Sequence, residues 1–168
     1  MNKNGGNMPG KRIEINFEVY DSIGELSPED AFLLESARAQ TANAYAPYSN
    51  FCVGATARLV NGELVSGTNQ ENASFPAGIC AERVLMSTAS SLYPGEGIKA
   101  MAISYLNKNG HSDHPISPCG ICRQSFAEFQ IRTGQPIRLI LSGQSGQIFI
   151  MQNAVDLLPL MFNAEDMK

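Results

Sequence analysis

Two β-leaning runs, Phe51 to Val60 and Glu63 to Asn69, are separated only by Asn61-Gly62, the strongest short-range signal for a two-residue hairpin. That pair fixes an antiparallel unit early in the chain, and every other segment must be arranged around it. Ahead of it, Ser27 can cap a helix whose first turn holds Pro28, Glu29 and Asp30, followed by an Ala/Leu-rich run from Ala31 to about Ala44 that Pro47 closes. Behind it come a helix from Ile79 to about Leu92, a strand from Ile98 to Leu106, a helix from Cys119 to about Ile131 and a strand from Pro136 to Ser142. A turn at Gly143 to Gly146 leads into Gln147 to Met151, and Ala154 to Phe162 reads as a short closing helix interrupted by Pro159. Strands separated by helices need crossover connections, so the hairpin grows into a mixed, partly parallel sheet with helices packed on it. The fold class is α/β, bordering on α+β.

Upstream, Met1 to Gly10 is rich in Asn, Gly and Lys and reads as disordered, whereas Arg12 to Tyr20 alternates, with Ile13, Ile15, Phe17 and Val19 recurring at every second position. This sets an extension over residues 1–26, carrying an extra strand, apart from a single domain over residues 27–168. A chain of 168 residues with 43% hydrophobic content can bury one core without disulfides or a metal, so any metal it binds is expected to be functional. Its 12 Lys+Arg against 16 Asp+Glu leave a net charge of -4, which provides no basic footprint for a nucleic-acid polymer or an anionic membrane. Without a 20-residue apolar run or an apolar signal region in Met1 to Gly10, the expected location is the cytoplasm.

The four cysteines are then more readily explained by metal or thiol chemistry than by disulfides. Pro118 pushes Ser117 toward extended geometry, so a helix begins near Cys119 with its first N–H groups free, and Cys119-Gly120-Ile121-Cys122 places two thiols there. Cys80-Ala81-Glu82 repeats the arrangement at another helix start. A helix N-terminus favours thiolates, the form that binds metal. A C-x-x-C pair alone is shared by redox dithiols and structural zinc fingers, but structural zinc usually takes four protein ligands and only three are well placed here. Three ligands leave room for water, and Glu82, two residues after Cys80, is positioned to carry its proton. His111 and His114 lie in a Gly/Ser/Asp/Pro-rich stretch that reads as a solvated loop and not as ligands.

Cys80-Ala81-Glu82-Arg83 together with Pro118-Cys119-Gly120-Ile121-Cys122-Arg123-Gln124 resembles the zinc-dependent cytidine deaminases of the three-cysteine, homotetrameric type. Tyr48-Ser49-Asn50-Phe51, Val53-Gly54-Ala55, Asn69-Gln70-Glu71-Asn72-Ala73-Ser74 and Leu157-Leu158-Pro159 with Phe162 extend the similarity in order from about Ser27 to Phe162. The resemblance implies a three-layer α/β/α sandwich around a mixed five-stranded sheet, one Zn2+ held by Cys80, Cys119 and Cys122, and Glu82 as general acid/base. It implies a nucleoside pocket with Phe51 on the base, Ala73 and Cys80 at the pyrimidine edge and Asn69 and Glu71 on the ribose hydroxyls. Phe162 is implied to reach a neighbouring subunit's pocket, and Arg83 to offset the surplus negative charge of three thiolates. The implied function is hydrolytic deamination of cytidine and deoxycytidine in pyrimidine salvage. Action on another nucleoside or base analogue, or a non-catalytic zinc module, are the alternatives. Cys52, where the family more often has Pro, and Phe75, where it often has Tyr, depart from the pattern.

Overall fold

A computed structural model describes residues 10–168, so the disorder expected over Met1 to Gly10 falls almost wholly outside the described residues. The elements are β1 (Glu18–Tyr20), α1 (Pro28–Gln40), β2 (Phe51–Leu59), β3 (Leu64–Thr68), α2 (Ala81–Leu92), β4 (Ile98–Asn107), α3 (Gly120–Thr133), β5 (Arg138–Ser142) and β6 (Ile148–Met151). The Ser27 hydroxyl caps α1 by accepting from the Asp30 N–H at 3.2 Å, as the Ser-Pro-Glu-Asp run requires.

Six strands form one sheet in the order β1-β6-β5-β4-β2-β3, in which β4 and β5 are parallel and the other neighbours antiparallel. Side-chain alternation along the central strands divides the interior between two layers. Ala100, Ala102, Ile140, Ile148 and Ile150 meet Leu33, Leu34 and Ala37 of α1 on one face. Met101, Ile103, Leu139 and Leu141 meet Leu85 and Met86 of α2 and Phe126 and Phe129 of α3 on the other. The result is the three-layer α/β/α arrangement, with both cysteine-bearing helices on the same face.

Four expectations need correction. The sheet has six strands, not five, because β1 from the extension pairs with β6. That strand covers only Glu18–Tyr20 and not Arg12 to Tyr20, since β6 ends at Met151, opposite Phe17, and offers no partner upstream of that residue. The hairpin turn is longer than two residues. Gly62 N–H donates to Leu59 O at 3.0 Å and Leu59 N–H to Glu63 O at 2.9 Å, and Gly62 takes φ +92° while Asn61 stays at negative φ, giving a three-residue loop with a glycine bulge. Finally, the closing helix shrinks to one 3-10 turn, Ala154–Leu157, before Pro159.

Gly67 of β3 sets how closely α2 approaches the sheet. A Cβ built there would lie 2.5 Å from both Ala81 O and Leu85 N. Gly67→Ala is therefore expected to push the first turn of α2 outward and cost about 1–3 kcal/mol of stability in chemical denaturation. An unchanged unfolding midpoint would show that α2 is not seated by this contact.

Candidate metal centre and pocket

Cys80 is the residue immediately before α2 and Cys119 the residue immediately before α3; neither side chain caps its helix, which leaves both sulfurs free to point away from it. Cys122 lies one turn into α3 and is fully buried. The Sγ atoms of Cys80 and Cys119 are 3.7 Å apart and those of Cys119 and Cys122 are 3.5 Å apart, and all three lie within 4.8 Å of one another. These spacings are far too long for a disulfide. They match the separation of about 3.8 Å that tetrahedral zinc with Zn–S bonds of about 2.3 Å imposes on its sulfurs. Cys52 sits apart in β2, buried in the sheet, and neither histidine belongs to the cluster.

The electrostatics suit metal binding. The Cys80 thiol is lowered to about 6, chiefly by a hydrogen bond from Cys122, against the cost of partial burial, with further help from Cys119 and the Arg83 charge. The Cys122 thiol is pushed up, because it donates that hydrogen bond and is itself buried. Glu82, in the first turn of α2, is only 5% exposed. Burial raises its pKa, the Cys80 charge adds to this, and its own helix-start amide and the Cys122 thiol oppose it. A carboxyl held toward its protonated form beside a metal site can both take up and return a proton.

Other residues singled out in the sequence lie on β2, on the segment that follows β3, and on α2. Asn69 follows β3 and ties itself to β2: its Oδ1 accepts from Val53 N–H at 2.7 Å and its Nδ2 donates to Phe51 O at 2.8 Å. One amide hydrogen and one lone pair remain for a ligand. Glu71 Oε2 accepts from the backbone N–H groups of Tyr48 at 2.9 Å and Ser49 at 3.3 Å. Hydrogen bonds from Ser49 and Tyr48 hold its carboxylate below the ordinary range. Glu71 also lines a groove of about 210 Å³ with Tyr48, Asn72, Phe75 and Gly78. Ala73 is exposed on the same loop, and Phe75 packs edge-on against Tyr48 at 5.8 Å. Arg83 is half-buried and lines the groove between α2 and α3.

Three residues had no role assigned from the sequence, although Arg123 and Gln124 belong to the quoted motif. Tyr105 of β4 is buried and stacks on Phe51, with ring centroids 4.9 Å apart and planes 16° apart, so that one face of Phe51 is already covered. Its alternation with Met101 and Ile103 was the available signal. Arg123 donates from Nε to Pro118 O at 2.8 Å and from Nη1 to Leu157 O at 3.0 Å, joining the start of α3 to the C-terminal segment. Gln124 Nε2 donates to Phe162 O at 2.9 Å, which holds the backbone of Phe162 to its own α3 while the ring stays 57% exposed.

The sequence profile of the cytidine and deoxycytidylate deaminase zinc-binding region matches residues 27–135, more than half of the chain. A cytidine deaminase of Halalkalibacterium halodurans is 35% identical over 136 residues, 80% of this chain and 95% of that protein. One of Sporosarcina psychrophila is 34% identical over 142 residues, 82% of this chain and 93% of its own length. The crystal structure of cytidine deaminase from Burkholderia pseudomallei superimposes with a TM-score of 0.68 at 35% identity, covering 82% of this chain and all of that one.

Replacing Cys80, Cys119 or Cys122 singly by Ala is expected to abolish stoichiometric zinc, whereas Cys52→Ala should retain it. Elemental analysis of the purified variants distinguishes these outcomes, and near-normal zinc in Cys119→Ala would break the ligand set. Matched profile, relatives, fold and three-thiol cluster agree, and the chain belongs to the zinc-binding cytidine and deoxycytidylate deaminase family.

Proposed function

We propose that this chain hydrolyses cytidine and deoxycytidine to uridine and deoxyuridine with release of ammonia, and that it serves pyrimidine salvage in the cytoplasm. The observation that carries this reading is the cluster of three sulfurs within 4.8 Å at two helix starts, with the buried Glu82 two residues after Cys80 in the first turn of α2. Cys80, Cys119 and Cys122 hold Zn2+, which when bound supplies the Lewis acidity that makes water nucleophilic at neutral pH. Glu82 takes a proton from the water that attacks C4 and passes it to N3, then takes the remaining proton from the resulting C4 hydroxyl and passes it to the departing amine as the C4 carbonyl forms. Water is consumed, the C4–N bond breaks and ammonia leaves. Arg83 offsets the charge of the thiolates.

Asn69 and Glu71 meet the ribose hydroxyls with the capacity their backbone bonds leave free, Phe51 packs its uncovered side on the base, and Ala73 and Cys80 present backbone groups to the pyrimidine edge. Residues 27–168 form the catalytic unit and residues 1–26 an extension. The active assembly is a homotetramer in which Phe162 completes a neighbour's pocket. Its exposed ring and the 92% exposed Leu160 beside it support this arrangement, since an apolar tail of that kind is stabilised by cover.

Ultraviolet monitoring of the zinc-loaded protein should show turnover of cytidine and deoxycytidine, and poor turnover of cytidine monophosphate, whose phosphate would meet an acidic rim. Comparable efficiency on the monophosphate or on single-stranded DNA would overturn the nucleoside assignment. Glu82→Gln should keep zinc and fold yet lose about 10²–10⁴-fold in kcat, the contribution expected of a general acid/base. Retained turnover would move the proton carrier elsewhere. Glu82→Gln and Phe162→Ala chains, each impaired alone, should regain activity when refolded together, because a site with Glu82 can then borrow Phe162 from the other chain. Confirmed mixed assembly without recovery would contradict the shared site.

A further inference from the structure

Residues 11–17 carry a strand's alternation without a sheet to join. Ile13, Ile15, Phe17 and Val19 recur at every second position and are 55%, 42%, 49% and 50% exposed, while Arg12, Glu14, Asn16 and Glu18 fill the positions between. β1 bonds to β6 through Glu18↔Ile150, Val19↔Phe149 and Tyr20↔Ile148, and β6 stops at Met151. Beyond that point Gln152 donates its side-chain amide to Glu18 instead of continuing the ladder. Among the described residues no strand pairs with residues 11–17, and β1 stands at the end of the sheet order with its outer edge open. Of the four apolar side chains, Phe17 has an aromatic neighbour, Phe149, at 4.9 Å.

An open edge with a regular apolar/polar alternation is a template for another strand. We infer that its occupant is the same segment of a second copy, paired antiparallel about a two-fold axis at Ile15. This register places Arg12 opposite Glu18, Glu14 opposite Asn16 and Ile13 opposite Phe17, so opposite charges and apolar side chains meet directly. Neighbouring registers are worse. An axis at Glu14 opposes that carboxylate to itself, and one at Asn16 opposes Glu14 to Glu18. An axis at Ile13 sets Phe17 opposite Pro9, which has no N–H for the ladder. The segment lies outside residues 27–135, so this contact belongs to the extension and is distinct from the C-terminal Phe162 contact.

Cysteine cross-linking of the full-length, zinc-loaded chain tests both the pairing and its register. Directly opposed residues in an antiparallel pair have Cα atoms about 5 Å apart, whereas residues offset by four positions are separated by about 14 Å. Under mild oxidation most Ile15→Cys chains should run as covalent dimers, and the unsubstituted chain, with its native cysteines, should not. Ile13→Cys and Phe17→Cys should each stay monomeric in denaturing gels alone and cross-link when mixed. Failure of Ile15→Cys to cross-link, as would follow if another segment or a different protein covers this edge, overturns the pairing. Efficient self-cross-linking of Ile13→Cys overturns the register.

Discussion

The site depends on two helices starting at the same place. α2 and α3 lie on one face of the sheet and present Cys80 and Cys119 at their first turns, so the sulfurs converge because the backbone does. That convergence is enforced by packing. Gly67 lets the first turn of α2 press directly on β3, and Phe126 and Phe129 anchor α3 over the central strands. Replacing flexible side-chain reach with fixed helix ends gives a metal site whose geometry is settled by the core, before any ion arrives.

Charge is managed in the same small volume. Three thiols and a buried carboxyl would repel one another if all were ionised; hydrogen bonds from its neighbours draw the Cys80 thiol down, while the bond Cys122 donates to Cys80 pushes Cys122 up and burial pushes Glu82 up. A dication relieves this conflict, which gives the cluster its affinity for metal, and the half-buried Arg83 adds a fixed positive charge beside Cys80. Asn69 and Glu71 are fixed differently: each spends part of its hydrogen-bonding capacity on the backbone, Asn69 on β2 and Glu71 on residues 48–49.

Much of this was legible in the sequence because it rests on local rules. Ser27-Pro28 announced α1, Pro118-Cys119 announced the start of α3, and the placement of Cys80, Cys119 and Cys122 announced the three-thiol cluster. What stayed hidden depends on contacts distant in sequence. Nothing local to Arg12–Phe17 reveals that β6 ends too soon to pair with it, and only the stack with Phe51 gives Tyr105 meaning. The turn at Asn61-Gly62 was placed correctly but with the wrong length, since a glycine bulge and a two-residue turn share the same dipeptide. Arg123 could not be assigned to Leu157 O before the path of the C-terminal segment was known.

X-ray absorption at the zinc edge of the full-length protein tests the central claim most directly, because it reads the metal's own ligand shell. Three sulfurs at about 2.3 Å and one lighter atom at about 2.0 Å are expected. A shell of four sulfurs, or multiple-scattering features of a histidine ring, would contradict the three-thiol site with an open position for water.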